Sequence, residues 1–567
     1  MKLIERRYTE RDRQALLAAG VDPLLARLYA ARRIASAGEL RYEPASLHAP
    51  GLLKNLEHGA ALLADAIAAK KRLLIVADYD ADGATACAVG MRALRAFGAE
   101  VGYLVPDRFK LGYGLTPELV DLAARIDPRG KPDMLITVDN GIASVEGVAR
   151  ANALGIVTLI TDHHLPGAEL PAAACIVNPN QPGCDFPSKA LAGVGVMFYL
   201  MLALRKVLRD RGFFKTRSEV NLGALTDLVA LGTIADVVPL DANNRNLVSQ
   251  GLKRLRSGRA QAGINALLRA AGRAPGEASS FDLGFVAGPR LNAAGRLADM
   301  TLGIECLITD DEARAANCAD ALDKLNRDRR KIEAGMLEQA TRHLDGVAES
   351  GSTFFNPDWH EGVVGILASR LKDRLHLPVI CFARSVNSAP SGGLLLKGSG
   401  RSIPALHLRD CLDLVAKREP GLILRFGGHA QAAGLTIAEA DYARFGQALE
   451  RALEEQLPAA ARQRVVETDG GLGNEQLTLN VARMLEAEIW GQGFPQPLFC
   501  DNFAVENQRV VGERHLKLQL QKDGKRYEAM RFGSLDPLPA RLRAAYRLAV
   551  NEFNGLKSVQ LNVEYIE

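Results

Sequence analysis

The stretch Leu73-Leu74-Ile75-Val76-Ala77-Asp78-Tyr79-Asp80-Ala81-Asp82-Gly83 decides how this chain is read. It opens as an apolar run of strand length and closes on three aspartates crowded against a glycine. Carboxylates this close repel one another in any partly dry setting, so the cluster needs cations or must hold extra protons. Oxygen-rich clusters suit hard divalent ions. An acidic surface turn is the plain alternative. A calcium-binding EF-hand loop is excluded, because the position that must carry its glutamate is Val89 and the preceding segment is a strand rather than a helix.

Outward from that stretch, strand and helix patterns alternate. A helix is expected over Ala84–Phe97, a strand over Val101–Val105, a helix over Thr116–Arg125 and a strand over Met134–Val138. A helix near Ser144–Leu154 and a strand over Ile156–Thr161 follow. Such alternation implies a parallel sheet covered on both faces, with ligands gathered beyond the carboxyl ends of its strands. Those ends carry Asp78, Asp80 and Asp82, then Asp139-Asn140-Gly141, then Asp162-His163-His164. The helical stretch Leu222–Ile234 adds Asp236. Any one of these could be a cap or turn residue. The same chemistry at successive strand ends favours a metal site. Carboxylates with imidazole and no thiolate suit manganese or magnesium, and two ions sharing a carboxylate suit in-line phosphoryl displacement.

Composition narrows the class. The 567 residues exceed one core and predict roughly three or four domains. With 48% hydrophobic and 24% charged residues the chain reads as soluble and globular, and a net charge of +4 leaves any basic surface local. No run approaches the ~20 apolar residues of a membrane span. Met1-Lys2-Leu3-Ile4-Glu5-Arg6-Arg7 has no apolar export signal, and the eight cysteines form no Cys-x-x-Cys pair. A cytoplasmic protein with reduced cysteines is expected.

Further motifs follow. Pro106-Asp107-Arg108-Phe109-Lys110-Leu111-Gly112-Tyr113-Gly114 combines cations suited to phosphate with glycines that permit close backbone approach, or is simply a surface loop. Gly288-Pro289-Arg290-Leu291-Asn292-Ala293-Ala294-Gly295-Arg296 could reach an anion through backbone and guanidinium groups, or cap a helix. Residues 309 to 345 read as a long solvated helix. Beyond Gly351 a second α/β unit carries Gly398-Ser399-Gly400-Arg401-Ser402, which looks like a phosphate cradle. His360 and His429 lack an acidic cluster and read as structural or substrate-binding histidines. Near the C-terminus, Arg514–Gln521 and Arg526–Phe532 flank an Asp523-Gly524 hairpin turn, and Ser558–Ile566 is a final strand. A small barrel fits. Lys517, Lys525, Arg526 and Tyr527 could line a groove on it, or be ordinary edge-strand residues.

Asp78–Gly83, Asp139–Gly141, Asp162-His163-His164 and Asp236, in that order, resemble the DHH family of phosphoesterases, and the likeness runs from about Leu73 to the C-terminus. It implies an α/β fold: a helical extension at 1–70, a parallel-sheet DHH domain at 71–308, and a connecting helix at 309–348. A smaller α/β DHH-associated domain at 349–456 and an OB-fold barrel at 457–567 complete it. Asp80, Asp82, Asp139, His163 and Asp236 become the implied metal ligands, with Asp139 bridging and Asp78 in or beside the set. Asp162 would orient its neighbours, while His164 and Arg290 would face the substrate phosphate. Arg108, Ser399 and Arg401 would form a 5′-phosphate pocket, and Tyr113, Asn292, Arg296 and His429 would also touch substrate. Many relatives carry histidine two residues before the first aspartate, where this chain has Val76.

The implied activity is 5′→3′ exonucleolytic hydrolysis of single-stranded DNA in repair and recombination, with two Mn2+ or Mg2+ ions. The resemblance further implies a monomer without membrane contact, cooperating with a helicase and single-strand-binding protein. Alternatives within the family are hydrolysis of short RNA or cyclic dinucleotides, and a non-catalytic nucleic-acid scaffold.

Overall fold

The computed structural model describes residues 2–107, 111–346, 351–388, 393–458, 461 and 463–567. These fall into two compact units, one formed by residues 5–323 and 467–567, the other by 324–466 with the first four residues.

The first unit is built on five parallel strands: β1 (Arg72–Ala77), β2 (Glu100–Leu104), β3 (Met134–Val138), β4 (Val157–Thr161) and β5 (Cys175–Val177). Their order is β2-β1-β3-β4-β5, and β1 pairs with both β2 and β3. The chain therefore reverses its direction of winding between β1 and β3, which opens a crevice at their carboxyl ends. Strands β1, β3 and β4 are almost wholly buried, as both faces must be when helices cover each side. Leu74 and Val76 point into one apolar layer with Leu115, Leu119, Val148 and Ile160. Val76 is thus a core residue, and the acids begin only where the strand runs out.

Helix α1 (Ala81–Ala96) starts at Asp80, whose carboxylate accepts from the amides of Asp82 and Gly83. It packs beside α2 (Gly193–Asp210) and α3 (Thr226–Ala235). The expected single stretch Leu222–Ile234 divides into a 3-10 turn over Leu222–Leu225 and α3. The Gly288–Arg296 motif forms helix α4 (Gly288–Leu297), continuous with a π-helical turn over Leu283–Ala287.

The N-terminal segment locks onto the stretch that leads into the C-terminal barrel. Arg32 is buried and grips the Asp469 carboxylate with both terminal nitrogens, and its guanidinium lies over the Trp490 ring. The barrel consists of β11 (Phe499–Val511), β12 (His515–Lys522), β13 (Lys525–Arg531), β14 (Arg541–Phe553) and β15 (Leu556–Ile566), closed in the order β11-β12-β13-β15-β14.

Helix α5 (Glu312–Gly346) runs from the first unit into the second. That unit carries a mixed sheet of β6 (Thr353–Phe355), β7 (Val379–Ser388), β8 (Leu394–Arg401), β9 (Arg425–Gly428) and β10 (Ala432–Ala438), with helix α6 (Val364–Leu375) before β7. The sheet order is β9-β10-β8-β7-β6, and only β6 and β7 are parallel.

Candidate metal centre

The crevice beyond β1 and β3 is where the acids meet. Asp78 follows β1, and Asp80 and Asp82 lie at the start of α1. Asp139 follows β3 with φ of 62°, a left-handed conformation tolerated by aspartate and asparagine better than by most side chains. Asp236 sits at the C-terminal end of α3. It precedes Val237, a β-branched residue held at φ 64°, a strained turn of the sort concentrated at functional sites.

Among the described residues three overlapping groups emerge, the ligand atoms of each lying within 4.8 Å of one another: Asp78, Asp80 and Asp139; Asp82, His163 and Asp236; Asp139, His163 and His164. Asp139 belongs to two of them. Its Oδ1 lies 3.1 Å from His163 Nε2, is buried, and accepts no hydrogen bond among the described residues. An anionic oxygen held dry in this way, ringed by further carboxylate oxygens and an imidazole nitrogen, suits a divalent cation of the manganese or magnesium type.

Electrostatics carry the same message. Burial, with Asp236 and Asp80 alongside, holds the Asp82 carboxyl well above the usual range. Burial and the Asp82 charge do the same to Asp139. Burial and Asp80 push Asp236 up to about 7. Such carboxylates ionise together only when positive charge joins them.

Asp162 has a different role. Its Oδ1 accepts from the amide of His163 at 2.7 Å and from Nδ1 of His164 at 2.8 Å, while Oδ2 accepts from the Ile142 amide. Burial alone would raise its carboxyl, but the contact with His164 keeps it below the ordinary value. Burial works against a charged His164, yet the same carboxylate lifts that imidazole to about 9. The Tyr113 hydroxyl lies 3.3 Å from His164, and its ring stands edge-on to Tyr79 and His164.

Several groups that build the site were not singled out in the sequence. The Gly193 and Val194 amides at the start of α2 donate to Asp82 at 2.6 and 2.9 Å, so a helix N-terminus steadies that carboxylate. Gly193 also makes room for Asp139, since a β-carbon there would lie 2.7 Å from Asp139 Oδ1. Asn178 and Asn180, just past β5, donate to the carbonyls of His164 and His163. The Asn178-Pro179-Asn180 run after an apolar strand was the available signal for this fourth loaded strand end.

The structure shows a bracing role for the Gly288–Arg296 motif. Arg290, expected against substrate, is buried, donates to the Val286 carbonyl and forms a 2.7 Å ion pair with Asp323. Asn292, also expected on substrate, accepts from the Ala81 amide at 2.8 Å. Gly295 packs so tightly that a β-carbon would come within 1.8 Å of the Tyr79 carbonyl oxygen. The motif braces the aspartate loop from behind. Arg296 lies half-buried on the same helix.

Arg108 lies outside the described residues. In the second unit, Arg401 donates to Ser399 Oγ at 3.1 Å, and among the described residues no carboxylate forms an ion pair with it. A β-carbon on Gly365, at the start of α6, would lie 2.8 Å from Ser399 Oγ and 3.1 Å from an Arg401 nitrogen, so a helix N-terminus adjoins both. His429 follows β9, and its amide donates to the Ala432 carbonyl. Of the barrel residues, Lys517 pairs with Glu528 and Arg526 with Glu506. Tyr527 is buried with its hydroxyl on Asn474, so its ring is not available for stacking.

Comparison with known proteins gives the same picture. The DHH family N-terminal domain matches residues 72–233, the DHHA1 domain 349–455 and the RecJ OB domain 468–565. The single-stranded-DNA-specific exonuclease RecJ of Dickeya dadantii is 48% identical over 96% of both chains, and that of Escherichia coli K12 is 46% identical over 99% of both. Among solved structures, RecJ of Thermus thermophilus in complex with Mn2+ superposes with a TM-score of 0.81 at 30% identity, covering 100% of this chain and 79% of that one. The crevice of acids, the three matched domains and identity of this order along nearly the full length lead to one conclusion: the chain belongs to the RecJ family.

Proposed function

We infer that this RecJ-family exonuclease removes nucleotides from the 5′ end of single-stranded DNA during repair and recombination, with two divalent ions at the crevice. One observation carries the reading: Asp139 shares close ligand geometry with both an aspartate group and a histidine group. The Thermus thermophilus relatives were solved as complexes with Mn2+ and with Mg2+. Asp78, Asp80, Asp82, Asp139, His163 and Asp236 would hold the ions. When bound, such a pair polarises the attacked phosphate and acidifies water near neutral pH.

The chain's own groups would do the rest. Asp162 fixes the His163–His164 turn, so His164 would enter the reaction oriented, its imidazole held by the Asp162 carboxylate. It would neutralise the charge that grows on the phosphate. Tyr113, beside His164, would guide the same group. Ser399, Arg401 and the amides at the start of α6 would hold the terminal 5′ phosphate and so set polarity. His429 would flank the substrate. The barrel would bind the strand beyond the cut, and a cytoplasmic monomer working with a helicase and single-strand-binding protein fits this role.

The test is degradation of single strands labelled at either end with Mn2+ or Mg2+ present. Mononucleotides released first from the 5′ label are expected, with no release when a chelator is added. Release first from a 3′ label, or equal rates with chelator, would overturn the reading.

A further inference from the structure

The segment leading into α4 carries two phenylalanines that the reaction described above does not use. Phe281 and Phe285 are 48% and 65% exposed, and their rings stack at 4.7 Å with only 20° between planes. Two exposed rings in contact form a contiguous apolar patch, the kind of surface that serves for binding more often than a lone exposed side chain does. They flank the start of the π-helical turn Leu283–Ala287, a feature that often accompanies functional sites.

Their place in the fold gives them a direction. Phe281 and Phe285 are exposed and Pro289 and Asn292 half-buried, while the residues between are mostly buried, so these four share one face of the helix. That face ends at the aspartate loop, because Asn292 accepts from the Ala81 amide. The adjoining side is packed against the end of α3: a β-carbon on Gly284 would lie 3.0 Å from Ile234, and one on Gly288 3.0 Å from Ala235, next to Asp236. At the rise of a helix, Phe285 stands about 10 Å from Asn292 along the axis. The pair therefore lies on the shoulder of the crevice.

We propose that Phe281 and Phe285 form a stacking platform for the bases of the single strand next to the nucleotide being removed. This rests on the single-strand reading given above. A base has a π-face whatever its identity, so such a platform grips any sequence, as an exonuclease requires. The two rings already touch, so a base would lie on the outer face of the pair rather than between them.

The full-length protein is tested with Phe281→Ala/Phe285→Ala, Phe285→Trp and Phe285→Leu. Both rings are exposed, so melting temperatures should match wild type, and the leucine variant retains an apolar side chain should alanine disturb the helix. KM for a long single strand should rise on the order of tenfold with the double alanine. Tryptophan should preserve it, and leucine should behave like alanine. In an Asp139→Asn background, 2-aminopurine placed in turn near the 5′ end should lose emission at one or more positions on binding, and that quenching should vanish without the rings. Unchanged KM and emission in the double alanine variant would overturn the platform, and so would a leucine variant that binds as wild type does, since an apolar contact without stacking would then suffice. A wild-type protein that cuts no single strand would instead bring down the reading on which the platform stands.

Discussion

The two five-stranded sheets of this protein present their polar chemistry in opposite ways. In the parallel sheet the strands are apolar on both faces, and every candidate ligand waits beyond a strand end, in a turn or at a helix terminus. In the mixed sheet the groups sit within a strand. Along β8, Lys397, Ser399 and Arg401 alternate with Leu396, Gly398 and Gly400, so the cations share one face and the core takes the other. The glycines are there because the core is full: a β-carbon on Gly398 would lie 2.5 Å from the Phe382 ring, and one on Gly400 2.7 Å from Leu408. The parallel sheet, covered on both sides, offers its polar groups only at its rim, whereas β8 offers them along its length, half-buried beside the N-terminus of α6, which packs over Val379, Cys381 and Ala383 of the neighbouring β7. The first arrangement collects carboxylates around a point. The second sets Ser399 and Arg401 side by side on one face, with Lys397 next to them held by Glu361 at 2.6 Å.

The sharpest way to break this contrast is at the point itself. Asparagine at 139 keeps the left-handed backbone and the volume but removes the charge shared by two ligand groups. Asp139→Asn should lower kcat on the order of 10³-fold or more, several kcal/mol of transition-state stabilisation, while strand binding persists. Turnover within about tenfold of wild type would mean that the point carries no charge essential to the reaction. A second substitution tests whether the rim is positioned from outside. Gly295→Ala must displace the Tyr79 carbonyl or α4 itself. A shift of about 1 Å in the aspartate loop should cost on the order of 10²-fold in kcat with little change in KM. Full activity in this variant would show that the loop holds its shape without α4.

How much of this could be read from the amino acids follows from the same contrast. Rim chemistry is legible because β1, β3 and β4 are short runs of apolar and β-branched residues that stop abruptly at acids, so the change of character marks both the strand and the site. The bracing groups were hidden, because nothing local distinguishes the Gly193 amide, which holds Asp82 across 111 positions, from any other glycine. The partner of Arg290 was hidden for a related reason: nothing in the glycine-rich motif points to Asp323, 33 residues later, which pairs with it. In the barrel, β11 is a single strand of 13 residues that reads as short pieces. Its first half pairs with β14 and its second with β12, and the register shifts between Val505 and Asn507. The Asn554-Gly555 turn that joins β14 to β15 carried a hairpin signal as plain as Asp523-Gly524.

The polar groups of the second unit and the barrel are tested with gentler changes. Arg401→Ala should raise KM about tenfold for strands with a 5′ phosphate, leave kcat near wild type, and change little for strands ending in a hydroxyl, because the charged hydrogen bond to the phosphate is lost, while the contacts to Ser399 and the Gly400 carbonyl that go with it are local to β8. An equal rise for both kinds of end would assign Arg401 to the fold of its own sheet. The smallest effects belong to the barrel, where pairing distinguishes two neighbouring cations. Arg526 is held by Glu506 at 2.6 Å, whereas Lys525 is exposed and makes no ion pair among the described residues. A cation already satisfied by a carboxylate gains little from a phosphate, since the exposed pair and the new contact exchange at nearly equal energy. Arg526→Gln should therefore leave the salt dependence of KM unchanged. Lys525→Gln should reduce the slope of log KM against log salt by about 0.7, the release expected for one contact to a single strand. If the two variants behaved alike, the carboxylate on β11 would not be shielding its partner, and the barrel's charge would act as a diffuse field rather than through particular side chains.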